Sequence, residues 1–275
     1  MSENAKYARG LGRAFVGAAL FALPLFMTME MWTLGVAMQP ARIFAMLLAF
    51  LPVLVALSYF AGFERAFGVT DHLLDAFAAI AVAAISTIIV LVLFGVIKPG
   101  ITLEEAAGTI AILTLPSAIG ALLADKQLGD EDAADVDARS YGAKLFLMAV
   151  GGLFVALNVA PTEEMMLIAH QISPWQAILV VLGSLGVLHA LLFVADLPGR
   201  QERRGDRHAL SVFVRYSLAG YALCALISAG LLWCFGRLDG VSLFEGVEFV
   251  IVLSFPAALG AGVAQSLIGE KRAGG

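Results

Sequence analysis

Eight apolar stretches separated by polar connections organise the chain. They run Ala14–Leu34, Ile43–Phe63, Leu73–Ile97, Glu105–Ala124, Ala143–Ala160, Gln176–Leu197, Val212–Phe235 and Val247–Leu267. Each comes close to the roughly 20 residues an α-helix needs to cross the hydrocarbon core. Only helices and closed barrels keep every backbone group paired in lipid, and alternating barrel strands of about ten residues are absent. The pattern predicts an all-α membrane protein with eight transmembrane helices.

Composition sharpens this picture. The 275 residues are 60% hydrophobic and 14% charged, and mean hydropathy is +0.91. Soluble domains are about 45–50% apolar and about 25% charged. A soluble enzyme, a disordered chain and a nucleic-acid binder are thereby excluded as first readings, and the lipid bilayer is the expected partner. The net charge of −5 points to no polyanion. Cys224 and Cys234 share one apolar stretch, about 15 Å apart along a helix, which is too far for a disulfide.

The first stretch follows Lys6, Arg9 and Arg13 as a signal peptide would. Its length and the lack of a small-residue cleavage site lead us to expect that it is retained. Basic residues gather before the first stretch, at Arg65, at Lys126 and Arg139, at Arg200, Arg203, Arg204 and Arg207, and at Lys271 and Arg272. The alternate connections hold Arg42, Lys98 and Arg237. The positive-inside rule then puts both termini in the cytoplasm. The expected organisation is a cytoplasmic segment over residues 1–13, helices over 14–124, an acidic linker over 125–142 containing Gly129-Asp130-Glu131-Asp132, and helices over 143–275.

An internal duplication is visible. GITLEEAAGTIAILTLPSAIGALLA, which starts at Gly100, returns from Gly240 as GVSLFEGVEFVIVLSFPAALGAGVA, with Glu105/Glu245, Pro116/Pro256, Gly120/Gly260 and Ala124/Ala264 coinciding. TMEMWTLGVAMQP, which starts at Thr28, returns from Thr162 as TEEMMLIAHQISP, with Glu30/Glu164, Met31/Met165 and Pro40/Pro174 coinciding. Each half holds four spans. An even number returns the chain to its starting side, so the expectation is two parallel four-helix repeats about a pseudo-twofold along the membrane normal.

A charge at mid-bilayer costs at least about 2.5–3.5 kcal/mol, so intramembrane polar residues are candidates for function. Glu30 and Glu164 each follow a threonine by two positions, near Pro24 and near the segment Asn158-Val-Ala-Pro-Thr162. Proline frees a carbonyl. Glu30, Glu164, Glu163, Thr28, Thr162 and Asn158 would then form an all-oxygen set suited to hard cations or protons. The alternative is that these glutamates mark where helices reach water. Glu105 and Glu245 sit in first turns, where a carboxylate caps a helix; a vestibule role is the alternative. Glu248 lies one turn deeper, and Gly108 occupies its counterpart. Asp75 and Arg215 pair in the same register as Gly100 and Gly240, and could form an ion pair or lie at solvated helix ends. His189 is a packing histidine or a proton relay.

Glu163-Glu164 with His189 on the next helix resembles a fragment of the intramembrane glutamate proteases related to prenyl-protein endopeptidases. That family uses Glu-Glu-x-x-x-Arg, and Ile168 stands where the arginine belongs. The segment Asn158-Val-Ala-Pro-Thr-Glu-Glu164 and the two Pro-centred helices resemble an uncharacterised family of bacterial integral membrane proteins. That resemblance implies a bacterial membrane location and no mechanism.

No phosphate-binding loop, dinucleotide motif or cysteine-rich metal site is present, so no cofactor is expected. The leading expectation is transport of a small ion or solute, a cation or proton, through a paired acidic site. An intramembrane glutamate-type hydrolase and a non-catalytic scaffold or sensor remain as alternatives, and the sequence leaves homo-oligomerisation open.

Overall fold

The computed structural model describes residues 3–61, 69–128, 140–194 and 213–270. The acidic run at 129–132, Arg65, Arg139, the basic cluster at 200–207 and the residues after 270 lie outside the described residues. Within them the chain is all-helical, and eight helices are long and apolar enough to cross a membrane. The chain divides into two compact units, Met1–Val136 and Asp137–Gly275.

The first unit contains α1 (Glu3–Phe26), α2 (Met29–Ala37), α3 (Pro40–Ala61), α4 (Val69–Leu93) and α5 (Leu103–Leu128). The second contains α6 (Tyr141–Val159), α7 (Glu163–Gln171), α8 (Pro174–Val194), a π-helical turn (Phe213–Leu218) running into α9 (Ala219–Cys234), and α10 (Leu243–Glu270). We call the end where α1 or α6 begins the near end of its unit, and the end with α2 or α7 the far end.

The order long, short, long, long, long occurs in both units, and the short helix is a correction to the expected spans. The first apolar stretch does not run to Leu34. It stops at Phe26, where Pro24 lacks a donor and the Thr28 hydroxyl donates to the Pro24 carbonyl at 2.7 Å. The chain restarts as α2, nine residues long. In the second unit α6 stops at Val159, the Thr162 hydroxyl donates to the Val159 carbonyl at 2.8 Å, and α7 restarts for nine residues. At about 13.5 Å such a helix cannot span the membrane. Pro40 and Pro174 then open α3 and α8 at the first helical position, where a missing donor costs nothing.

The starts of α5 and α10 and the ends of α4 and α9 are closed in the same way in both units. Capping boxes open α5 and α10: the Thr102 amide donates to Glu105 Oε2 at 2.9 Å, and the Ser242 amide to Glu245 Oε2 at 2.8 Å. Schellman motifs end α4 and α9. The Val96 amide reaches back to the Leu91 carbonyl at 2.9 Å and the Arg237 amide to the Leu232 carbonyl at 2.8 Å. Gly95 and Gly236 take the left-handed position at φ 69° and 72°, which glycine occupies without strain.

The last helix is the centre of each unit. α5 packs against α1, α2, α3 and α4, and α10 against α6, α7, α8 and α9. The outer faces expose large apolar side chains, among them Leu20, Phe44, Leu74, Leu179, Leu182 and Leu226. Such faces suit acyl chains rather than water.

Buried positions also coincide. Along α4 and its counterpart, the π-helical turn with α9, the buried residues pair as Ala76/Ser217, Ala79/Gly220, Ala83/Cys224, Thr87/Ser228 and Leu91/Leu232. This register lies one position beyond the one that pairs Gly100 with Gly240. It corrects the pairing of Asp75 with Arg215. The residue that burial and the terminal glycine set against Asp75 is Tyr216.

A close backbone contact is also repeated. A Cβ added to Gly17 on α1 would lie 2.1 Å from Ala124 Cβ and 2.6 Å from the Gly120 carbonyl oxygen on α5. One added to Gly151 on α6 would lie 2.5 Å from both Ala264 Cβ and the Gly260 carbonyl oxygen on α10. Here backbones touch, as small residues permit in membrane bundles. Gly17→Leu and Gly151→Leu should each cost about 1–3 kcal/mol through overpacking. Unfolding in detergent checks this, and Gly183→Leu, which has open space, should be close to neutral.

Candidate functional site

The helix breaks place the predicted oxygen set at the far ends. Glu30 and Glu164 each occupy the second position of a nine-residue helix, with Thr28 and Thr162 as the N-cap residues. Glu163 and Glu164 are exposed and Glu30 is half-buried. A carboxylate in a first turn complements the helix dipole, so this position has a structural use as well. The threonine hydroxyl protons are committed to backbone carbonyls, which leaves their lone pairs for a ligand. Asn158 donates its amide to the Phe154 carbonyl at 2.7 Å, while its buried Oδ1 has no hydrogen-bond partner. Glu30 lies in the first unit and the other far-end oxygens near Glu164 lie in the second.

The second break has a brace that sequence reasoning treated only as a loop charge. Arg237, just beyond α9, donates through its guanidinium to the Pro161 carbonyl. That carbonyl is left over where α6 ends, so a delocalised cation satisfies it at the membrane edge.

Glu105 and Glu245 are accounted for by their capping boxes. Glu248 is buried one turn deeper. Its counterpart Gly108 cannot carry a side chain, because a Cβ there would lie 2.0 Å from the Gly35 carbonyl oxygen of α2.

At the near ends lie polar contacts that the sequence reading largely missed. In the first unit Ser58, on the last turns of α3, is buried and donates to Asp75 Oδ2 at 3.0 Å. The His72 Nδ1 lies 3.2 Å from the same hydroxyl. The Tyr59 ring meets the His72 ring edge-on at 5.3 Å. The available signal was His72 and Asp75 at three-residue spacing, on one face of the first turns of α4.

In the second unit His189, on α8, has its Nδ1 2.9 Å from Ser217 Oγ in the π-helical turn and its ring edge-on to Phe213 at 5.4 Å. Tyr216 lies under the Lys144 ammonium at 5.5 Å, and Lys144 is buried. The Tyr141 hydroxyl donates to the Arg215 carbonyl at 2.8 Å, and Gln265 donates to the Lys144 carbonyl at 2.6 Å. A π-helical turn holding this many contacts is a frequent mark of function. Arg215 itself is exposed. Among the described residues no group of three or more His, Cys, Asp or Glu could hold a metal ion.

Residues 10–268 match the family described as "Putative integral membrane protein (DUF2391)". No curated protein and no solved structure matches the chain.

Arg237→Ala should destabilise the protein by about 1.5–3 kcal/mol, because a carbonyl loses a charged donor. Lys98→Ala, at an exposed site, should stay within about 0.5 kcal/mol. Chemical unfolding in detergent micelles compares the two.

Proposed function

We propose that this chain, which belongs to the DUF2391 family of integral membrane proteins, is a duplicated secondary transporter or channel of the bacterial inner membrane. It moves a small cation or a proton-coupled solute. One observation carries the reading: both units end their first spanning helix at the same place and set a carboxylate in the first turn of the short helix that follows. Internal structural repeats are a recurring design of secondary transporters. Glu30 and Glu164 attract the cation, Glu163 adds charge, and Thr28, Thr162 and the open Asn158 Oδ1 supply neutral oxygens. The basic residues near the first helix and in the connections favour cytoplasmic termini.

Transport is preferred to the glutamate-type hydrolase for a geometric reason. A hydrolase needs Glu163, Glu164 and His189 within reach of one water. His189 bonds to Ser217 before α9, whereas Arg237, beyond α9, bonds to Pro161 beside the two glutamates. The 16 residues of α9 separate these contacts by about 24 Å.

The test is ion flux into liposomes holding the purified full-length chain. Glu164→Gln and Glu30→Gln should each reduce flux of the transported cation about tenfold, equivalent to about 1.4 kcal/mol. Flux equal to the wild type in both variants would remove the acidic sites. A wild type that conducts neither protons nor alkali cations would remove the transport reading.

A further inference from the structure

We propose that Ser58, His72 and Asp75 form a proton-binding relay at the near end of the first unit. The argument starts from the single proton of a hydroxyl. Ser58 is buried and gives that proton to Asp75 Oδ2 at 3.0 Å. It has none left for His72, whose Nδ1 is 3.2 Å away. The imidazole must therefore be the donor in that contact, which fixes a proton on Nδ1. The resulting chain runs imidazole to hydroxyl to carboxylate, each link within hydrogen-bond distance.

Such a chain has a second state of the same composition. When Nε2 is also protonated, the proton on Nδ1 passes to Ser58 Oγ as the serine proton passes to Asp75 Oδ2. No heavy-atom bond forms or breaks, and one proton has moved from imidazolium to carboxylate. An imidazolium–carboxylate pair becomes a neutral imidazole and a carboxylic acid. Both hydrogen bonds reverse, so the hydroxyl now donates to Nδ1.

Other charged groups stand at this level. Asp71 precedes His72 on α4, and Arg9 and Arg13 lie on α1, which packs against α4; all three have interactions of their own, as does Asp75. From α3, the Tyr59 ring closes one side of the imidazole. On α5, the side chains beyond Ala124 lie outside the described residues. The second unit has a histidine and a serine at the same seam, His189 and Ser217. It has Tyr216 in the register of Asp75, and that ring faces Lys144. The relay therefore belongs to the first unit.

The inference deepens the transport reading by naming the proton as the coupled ion, and rests on that reading only for what the proton drives. The tautomer is read directly. The full-length chain, labelled with ¹⁵N-histidine and held in lipid nanodiscs, is observed by NMR. Wild-type His72 should carry its proton on Nδ1, bonded to the Ser58 hydroxyl. Asp75→Ala should move that proton to Nε2, because the hydroxyl is then free to donate to Nδ1. Ser58→Ala should remove the Nδ1 hydrogen bond, and Ser58→Thr, which keeps the hydroxyl, should behave as the wild type. A wild-type His72 protonated on Nε2 alone would overturn the relay. So would an Nδ1 proton that Asp75→Ala leaves in place. Absence of ion flux from wild-type liposomes, with the Nδ1 tautomer intact, would remove transport and leave the relay standing.

Discussion

Hydrocarbon offers no partner to a backbone N–H or C=O, and this fold answers that constraint at the far ends of both units. Interrupting a spanning helix frees donors and acceptors within reach of the bilayer. The Thr28 and Thr162 hydroxyls, capping boxes at Glu105 and Glu245, and Schellman turns at Gly95 and Gly236 take up those groups. The second break needs one more device, the guanidinium of Arg237 on the Pro161 carbonyl. The breaks lie at the far ends, where such polar devices are tolerated. There they also bring the glutamates and Asn158 to the membrane edge.

Within each unit the last helix is enclosed by the others, and its closest neighbour touches it backbone to backbone at Gly17 or Gly151. That contact constrains shape more than chemistry. The two units keep the same small residues there and then diverge. The first holds a His–Ser–Asp chain at its near end, and the second holds Lys144 against Tyr216 with Glu248 buried at the other end. One architecture thus hosts two sets of ionisable groups.

Much of the fold was legible because hydrophobic length is a strong signal in a membrane chain. The spanning helices follow the apolar stretches, and the caps follow Thr-x-x-Glu and Ser-x-x-Glu. What was not legible follows from the same physics. The Met29–Ala37 and Glu163–Gln171 helices are apolar enough to merge with their neighbours in a hydropathy reading. The register that set Asp75 against Arg215 slipped by one position because most apolar residues match most others; burial of Thr87 and Ser228 fixes it. In the sequence Lys144 stands at the start of an apolar stretch and Ser58 inside one, with nothing to mark either. Only packing reveals that one is buried and that the other joins His72 to Asp75.

The most direct measurement is a pair of distances between spin labels, read by pulsed electron paramagnetic resonance on the chain in lipid without Cys224 and Cys234. Labels at Met29 and Leu103 report the far end of the first unit, and labels at Glu163 and Leu243 the equivalent far end of the second; all four positions are exposed. Duplication predicts that the two distances agree. A difference larger than one helical turn, about 5.4 Å, would contradict it.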